Sequence, residues 1–270
     1  MSVLSLVWNL ILVNPMLNVL AGFYQLIGSL GLSIILLTIL IRTILIPVML
    51  PSMKTMQKQR ELQPELDKLK KKYKHDKKKQ AEAQMELFKQ HGLNPASGCL
   101  TQIVMIIVLI ALYGVIRKFT GGADINEINT HLYFDFLSLD PAVQIPTRFL
   151  WLDLTKPDPY FILATLSGLF QLLQSKMTQP YVEEGEKAAQ KTPDKKDDIA
   201  YNIQEQMLYT MPIMNFIIGV TLPAGVVLYI VTTTIFSLVQ TYFVSGLGGL
   251  KPWLKKAGIY RNLAWIKKRS

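Results

Sequence analysis

Residues 30–53 read LGLSIILLTILIRTILIPVMLPSM, a run of 24 residues in which Arg42 is the only charged side chain. At a rise of ~1.5 Å per residue, a helix of this length spans roughly 36 Å, which is enough to cross the hydrocarbon core of a bilayer. A charge near the middle of such a helix costs ~2.5–3.5 kcal/mol on insertion scales. The run therefore predicts a membrane span whose Arg42 faces a watery cavity or a partner.

Four further apolar runs follow, so the sequence predicts an all-α membrane protein with five transmembrane helices. The predicted spans are residues 30–53, 96–118, 158–177, 207–222 and 223–245. The third and fourth spans are short for a core of ~30 Å, which predicts local thinning of the bilayer. The segments around them are an N-terminal interfacial region (1–29), a cytosolic helical hairpin (54–95), an extracytoplasmic loop (119–157), a cytosolic loop (178–206) and a basic cytosolic tail (246–270).

The N-terminal region lacks the basic start of a secretory signal peptide, because the first 41 residues contain no Lys or Arg. Asn18, Gly22, Gln25 and Ser29 recur at helical spacing among apolar residues. This pattern predicts an interfacial helix, with a weak additional span or a disordered lead as the alternatives.

The distribution of Lys and Arg predicts the orientation of the chain in the membrane. Residues 54–91 carry 12 basic residues, residues 119–157 carry two, and residues 246–270 carry seven. The N-terminus is therefore expected outside and the C-terminus in the cytosol. Residues 178–206 carry four basic and seven acidic residues, and helix counting places them inside.

The segment 54–95 is expected to form a basic hairpin of two helices. Apolar residues recur in both halves: Leu62, Leu66, Leu69 and Tyr73 in the first, and Met85 and Phe88 in the second. His75 and Asp76 would form the turn, and Gly92 would cap the second helix. The alternative is a solvated charged loop that only sets topology. Basic surfaces of this kind, in a chain of net charge +10, suit anionic lipids or RNA phosphates.

Polar residues share one face on several predicted spans. They are Thr38 and Arg42 on the first, Ser97 and Thr101 with Gln102 on the second, Ser167, Gln171 and Gln174 on the third, and Tyr229, Thr233, Ser237 and Gln240 on the fifth. Polar faces of membrane helices normally avoid lipid, so these faces predict a hydrophilic pocket that opens toward the cytosol. Alternatively, the hydroxyls bond to their own helices and the glutamines join neighbouring helices.

The sequence argues against several classes of function. Apart from Asp158 at the very edge of the third span, the five spans contain no Asp or Glu, and proton-relay transporters usually need such carboxylates inside the membrane. The three histidines lie outside the spans, and the single Cys99 excludes an intrachain disulfide framework. We therefore expect no cofactor, no metal site and no enzymatic activity. A carboxylate of a substrate, a lipid headgroup or water is the expected neighbour of Arg42.

Five separate motifs, in order along the chain, resemble the YidC/Oxa/Alb family of membrane protein insertases. They are LLTILIR (36–42), QPEL (63–66), HGLNP (91–95) with GCL (98–100), FLWLDL (149–154) with PDPY (157–160), and LPAGVVLY (222–229) with FSLVQ (236–240). The likeness is to the short form that lacks the large periplasmic domain. The chain departs from the family pattern at Thr101, Thr221 and Ile230.

The resemblance implies a multi-pass protein of the bacterial plasma membrane that inserts small or single-span membrane proteins and helps them fold. It implies a groove open to the cytosol and lipid, in which Arg42 receives polar or acidic parts of a nascent substrate. Gln174 and Tyr229 would line this groove, and the polar faces add Thr38, Gln171, Thr233 and Ser237. The hairpin would recruit substrate, the basic tail would contact the ribosome, and the Sec translocon is an optional partner.

Two other functions remain open from the sequence. A membrane-anchored ribosome-binding scaffold would use only the hairpin and tail, and its polar helix faces would be dispensable. A small-solute transporter would show internal repeats or paired broken helices, and neither pattern is visible in the sequence.

Overall fold

A computed structural model describes residues 3–73, 76–93, 97–120, 125–142, 144–178 and 199–256. The predictions for residue 75, for residues 179–198 and for the tail beyond Lys256 lie outside the described residues. The described chain is mostly α-helical. Its helices are α1 (Val3–Trp8), a π-helical turn (Asn9–Val13), α2 (Asn14–Ile27), α3 (Leu30–Glu61), α4 (Gln63–Lys72), α5 (Lys77–Gln90), α6 (Ser97–Thr120), α7 (Ile125–Asn129), α8 (Ile162–Thr178), α9 (Ile199–Thr221), α10 (Ala224–Ser245) and α11 (Lys251–Lys256). Short 3-10 turns occupy Asp135–Leu137 and Gly248–Leu250, and two strands, β1 (Arg148–Phe149) and β2 (Leu152–Asp153), form a hairpin.

Three described segments are long and apolar enough to cross a membrane, namely Ser5–Ile27, Leu30–Gln59 and Ala224–Ser245. Leu208–Thr221 forms a shorter apolar helix. The helix that begins at Leu30 continues through Pro47 and Pro51 to Glu61, beyond the predicted end at Met53. The helix of the fourth predicted span, α9, begins at Ile199, ahead of the predicted start at Met207. The residues 5–27, expected to be interfacial, thus meet the length and composition of a span.

The chain divides into two compact units. The first comprises Met1–Ile46, Gln102–Phe170 and Pro212–Phe236, and the second comprises Pro47–Thr101, Gln171–Met211 and Ser237–Ser270. The division falls within the long helices, so α10 contributes Tyr229 to the first unit and Gln240 to the second.

The first unit is built around one continuous apolar core. Leu17 of α2, Ile34 of α3, Leu112 of α6 and Val227 of α10 are fully buried in it. These helices expose other apolar residues on their opposite sides, among them Ile44. That distribution suits helices with one face in the bundle and the other in lipid.

Small residues bring α8 and α9 close together in the first unit. A Cβ on Gly219 would lie 2.8 Å from Ala164 Cα, and one on Gly168 would lie 3.3 Å from the Pro212 carbonyl oxygen. Helices in lipid gain most of their association energy from such close packing, because no hydrophobic effect drives them together.

The polar residues of α2 bond to the loop that precedes β1. The Asn18 side-chain amide donates to the His131 carbonyl at 3.0 Å, and the Tyr133 amide donates to Asn18 Oδ1 at 2.6 Å. Gln25 Nε2 donates to the Ser138 carbonyl at 3.1 Å. These bonds give Asn18 and Gln25 partners within the protein, a use that the amphipathic pattern did not reveal. Gly28, at φ 70°, then ends α2 before α3 begins.

The β-hairpin contacts both α3 and α10 in the first unit. A Cβ on Gly31 of α3 would lie 2.2 Å from the Phe149 ring, so the ring occupies the space that a larger residue would need. The first amides of α10 donate to the same hairpin region: Ala224 N to the Lys156 carbonyl at 2.8 Å, and Gly225 N to the Leu154 carbonyl at 3.2 Å. These contacts satisfy helix-end donors that have no partner inside the helix. We call this set of contacts the clasp.

Two aspartates stabilise the clasp region. The hydroxyl of Thr155 donates a hydrogen bond to Asp153 at 2.7 Å. This bond is the main reason that the pKa of the Asp153 carboxyl lies below its usual range. Buried Asp158 accepts hydrogen bonds from the amides of Tyr160 and Leu163, at 3.1 and 2.8 Å, and so caps the start of α8.

The second unit contains the predicted helical hairpin with a small core of its own. Leu62, Leu66, Leu87, Phe88 and Leu93 are buried together, and Leu69 packs against them. Met85 is exposed instead of packing as expected, because Leu87 supplies the buried position one turn before His91. Asp76 Oδ1 accepts from the Lys79 amide at 3.0 Å and caps α5.

Gly92 ends α5 as predicted. It adopts φ 63°, its amide donates to the Lys89 carbonyl at 3.0 Å, and the Leu93 amide donates to the Phe88 carbonyl at 2.8 Å. This pair of bonds is a Schellman motif, and the Leu93–Phe88 apolar contact accompanies it.

Candidate functional site: a buried arginine and two polar pairs

Arg42 is buried in the first unit, with only 5% of its surface exposed. It lies on α3, whose neighbouring positions Ile39, Leu40 and Ile44 are exposed and apolar. Its guanidinium interacts electrostatically with Tyr229, which is buried on α10. The charge therefore points into the bundle, as the sequence predicted, rather than toward the outer apolar surface.

Thr38 precedes Arg42 by one turn and is fully buried. Its hydroxyl donates to the Ile34 carbonyl at 2.6 Å, the bond to its own helix that the alternative interpretation anticipated. Thr232 and Thr234 of α10 bond in the same way, to the carbonyls of Leu228 and Ile230. Their protons are thus committed within the helix, which leaves these hydroxyls as acceptors.

Two other hydroxyls of the first unit lack hydrogen-bond partners among the described residues. They are Ser167 Oγ on α8, which is fully buried, and Thr233 Oγ1 on α10. Thr233 lies one turn from Tyr229, and the contact of their hydroxyls falls short of hydrogen-bond geometry. Buried hydroxyls are normally hydrogen-bonded, so these two positions suit water or a polar ligand.

The second unit contains a neutral pair. Gln174 Nε2 on α8 donates to the Thr241 hydroxyl on α10 at 2.9 Å. Gln240, with 8% of its surface exposed, has neither its amide nitrogen nor its amide oxygen bonded within the described part of the chain. Gln171 and Ser237 are half-buried in the same unit.

The predicted groove residues thus fall into both units. Thr38, Arg42, Tyr229 and Thr233 lie in the first, and Gln171, Gln174 and Ser237 lie in the second. The side chains of Ser97, Thr101 and Gln102 are outside the described residues. The sequence patterns did not identify Thr241 as the partner of Gln174. Within the described residues, no group of three or more His, Cys, Asp or Glu side chains could hold a metal ion.

Comparison with known proteins identifies the family. The family described as 60Kd inner membrane protein matches residues 22–248 of this chain. The chain belongs to the YidC/Oxa family of membrane protein insertases. The family is one of bacterial inner-membrane proteins, which agrees with the apolar helices described above.

Curated relatives match over most of the chain. The membrane protein insertase YidC of Fusobacterium nucleatum is 33% identical over 223 residues, which cover 82% of this chain and 89% of the relative. MisCA, a membrane protein insertase of Bacillus subtilis, is 32% identical over 244 residues, covering 88% and 79%. YidC of Geobacter sulfurreducens, at 28% identity, matches 90% of this chain but 38% of its own length.

A solved structure shares the fold. The crystal structure of an active YidC insertase, with its first transmembrane domain resolved, gives a TM-score of 0.52 at 25% identity. The match covers 82% of this chain and 43% of that chain. Together with the sequence matches, this likeness places the chain among the membrane protein insertases.

Proposed function

We propose that the chain inserts small or single-span membrane proteins through a hydrophilic groove, and that it helps them fold. Arg42 is the centre of this proposal. A buried guanidinium near the middle of an apolar run, which interacts electrostatically with Tyr229 of another helix, is the observation that carries it. Charged residues inside membrane helices are costly, and they mark substrate or ion pathways by default.

The mechanism requires no covalent chemistry. Polar or acidic residues at the translocating end of a substrate are attracted to Arg42, in surroundings of low dielectric constant that strengthen the attraction. Tyr229, Thr233 and Ser167 offer hydroxyls along the route. The apolar segment of the substrate then partitions into lipid, and this burial drives its release.

Short apolar helices would lower the barrier further. The 17 residues of α8 span roughly 26 Å at ~1.5 Å per residue, less than the ~30 Å core of a typical bilayer. Leu208–Thr221 is a shorter apolar helix. Local thinning around them would shorten the distance that a polar segment must cross.

The remaining partners and the topology belong to the same proposal. Five spans, with the N-terminus outside and the C-terminus in the cytosol, fit the distribution of basic residues. In the second unit, Gln171 and Ser237 would offer polar side chains to substrate, whereas Gln174 would border them by joining α8 to α10 through Thr241. The α4–α5 hairpin would recruit substrate, the basic tail would contact the ribosome and anionic lipids, and the Sec translocon would cooperate with some substrates.

Replacement of Arg42 by Ala tests the proposal. We expect insertion of substrates with acidic translocated ends to fall about tenfold, the equivalent of ~1.4 kcal/mol, with partial recovery in Arg42→Lys. The readout is protease protection of the translocated end in reconstituted vesicles, with variant levels matched by immunoblot. Unchanged insertion of several acidic-ended substrates by Arg42→Ala would contradict a role for the charge.

A further inference from the structure

The tip of the β-hairpin exposes apolar side chains in an unusual backbone conformation. Leu150 and Trp151 join β1 to β2, and they are 74% and 43% exposed. Leu150 adopts φ 56°, the left-handed region that favours glycine or asparagine. A turn that served only to reverse the chain would be easier to form with either of those residues, so the Leu150 side chain itself calls for an explanation.

The turn before α8 repeats this combination. Phe161 adopts φ 55° and is exposed, between exposed Tyr160 and Ile162. Strain and an outward-facing apolar side chain thus coincide twice within the same short stretch of the first unit. Arg148 and Lys156 are exposed at the two ends of the hairpin region.

The composition of this surface fits one occupant. Trp, Tyr, Lys and Arg are enriched where a membrane meets water. Leu and Phe accompany Trp on the apolar faces of segments that lie in this interface. The surface is also continuous with a membrane helix, because Phe161 directly precedes α8. A lipid interface therefore suits these residues better than bulk water does.

We propose that Leu150, Trp151, Tyr160 and Phe161 insert into the headgroup region of the bilayer and anchor the clasp to lipid. The clasp holds Gly31 of α3 through Phe149, and it holds the first amides of α10 through the Leu154 and Lys156 carbonyls. These are the two helices that carry Arg42 and Tyr229. The anchored tip thus ties the placement of both helices to the membrane surface.

Fluorescence of Trp151 tests this anchoring directly. Trp8→Phe, Trp253→Phe and Trp265→Phe leave Trp151 as the single tryptophan of the full chain, which is reconstituted in vesicles of phosphatidylethanolamine and phosphatidylglycerol. We expect lipids brominated near the glycerol end of their acyl chains to quench Trp151 more than lipids brominated near the terminal methyl. Iodide in the water should quench it weakly. A chain with all four tryptophans replaced by Phe and carrying Ile44→Trp, an exposed position well inside the apolar run 30–53, is the control for deep lipid contact.

Two outcomes would overturn the proposal. Strong iodide quenching without lipid quenching would place the tip in water, and quenching by neither would place it against protein. The readout needs no substrate, so it does not depend on whether Arg42 receives one.

Leu150→Asn separates anchoring from folding, since asparagine tolerates the backbone conformation that Leu150 adopts. We expect this variant to lose most of the lipid quenching of Trp151 while its melting temperature in detergent is unchanged or raised. A lowered melting temperature with lipid quenching retained would show that Leu150 packs within the protein, and would contradict the proposal.

Discussion

Two polar pairs involve α10, and they differ in charge and in bonding. In the first unit, Tyr229 accompanies the buried charge of Arg42, and in the second unit Thr241 accepts a hydrogen bond from neutral Gln174. Neutral pairs of this kind commonly join membrane helices and contribute little energy each. A buried charge is far more expensive, so its presence requires more than helix association. We therefore propose that Arg42 contacts substrate, whereas Gln174 and Thr241 join α8 to α10.

Charge reversal at Arg42 should have the largest effect on insertion. If substrate preference does not change, the proposed difference between the two polar pairs is wrong. Arg42→Glu is expected to reverse substrate preference, so that an acidic-ended substrate is inserted poorly and the same substrate with a lysine-rich end is inserted better. The physical reason is the change of sign of the attraction at low dielectric constant. Protease protection of both substrates measures the ratio. Gln174→Glu is the matched control, because a carboxylate in the second unit should not reverse the preference. Equal loss of both substrates in Arg42→Glu would indicate a folding defect.

Gly31→Ala should disturb the first pair while sparing the second. The added Cβ would meet the Phe149 ring at 2.2 Å, and overpacking of this kind costs ~1–3 kcal/mol. We expect a lower melting temperature and weaker insertion of acidic-ended substrates. Gly31→Ala combined with Phe149→Leu should recover part of both losses. Gly28→Ala is not a matched control, since Gly28 has φ 70°, so Gly114→Ala, which meets open space, serves instead.

The Gln174–Thr241 pair should show a small coupling energy. A double-mutant cycle with Gln174→Leu and Thr241→Val is expected to give ~0.6 kcal/mol, the average for hydrogen bonds between membrane helices. Unfolding in mixed detergent micelles measures each free energy. The single variants should insert acidic-ended substrates at nearly the rate of the unmodified chain. A severe loss of insertion at unchanged stability would show that Gln174 contacts substrate rather than only joining helices.

The smallest expected effect is that of Asp76 on the stability of α5, because Asp76 is an exposed charge outside the predicted spans. The backbone amide of Lys79 donates a hydrogen bond to the Asp76 carboxylate, and this bond is the main reason that the pKa of Asp76 is lowered. The ionised cap therefore stabilises α5 at pH values above the unfolded pKa of ~3.9, and this stabilisation is lost as the pH falls through the lower native value.

Hydrogen exchange of the first amides of α5, corrected for intrinsic rates, measures the contribution of Asp76. Protection should fall at acidic pH in the unmodified chain. Asp76→Asn should retain protection at all these pH values, because asparagine is an equally good cap. Protection that does not change with pH in the unmodified chain would disprove the role of the ionised carboxyl.

The sequence predicted those parts of the structure that follow from local patterns. Hydropathy located α3 and α10, helical spacing placed Arg42 on an inward face, and Gly92 marked the end of α5. The family followed from motifs distributed along the chain, and the comparisons confirm it.

Contacts between distant segments were beyond the sequence patterns. The amphipathic stripe that contains Asn18 predicted an interfacial helix, but a water-facing residue and one bonded to a loop over a hundred positions away look alike in a helical pattern. Leu62 and Leu66 predicted one side of the hairpin core, yet Leu87 rather than Met85 joins Phe88 on the other side. Met85 and Leu87 are two residues apart and lie on different faces of α5, and the local pattern does not show which face packs. No local sequence pattern predicts the positive φ of Leu150 or Phe161. These backbone conformations depend on contacts with distant segments, such as those of the clasp.

Crosslinking during synthesis tests the central claim most directly. A photoreactive residue at Thr233 leaves Arg42 in place and lies one turn from Tyr229, which interacts with Arg42. A second probe, at Met85 in the α4–α5 hairpin, reports the arrival of substrate. The account predicts crosslinks from position 233 to the acidic end of a nascent membrane protein, and predicts that Arg42→Ala abolishes them while those from position 85 persist. Crosslinks to the ribosome or substrate from position 85 with none from position 233, in the presence of Arg42, would contradict it and favour a membrane-anchored scaffold.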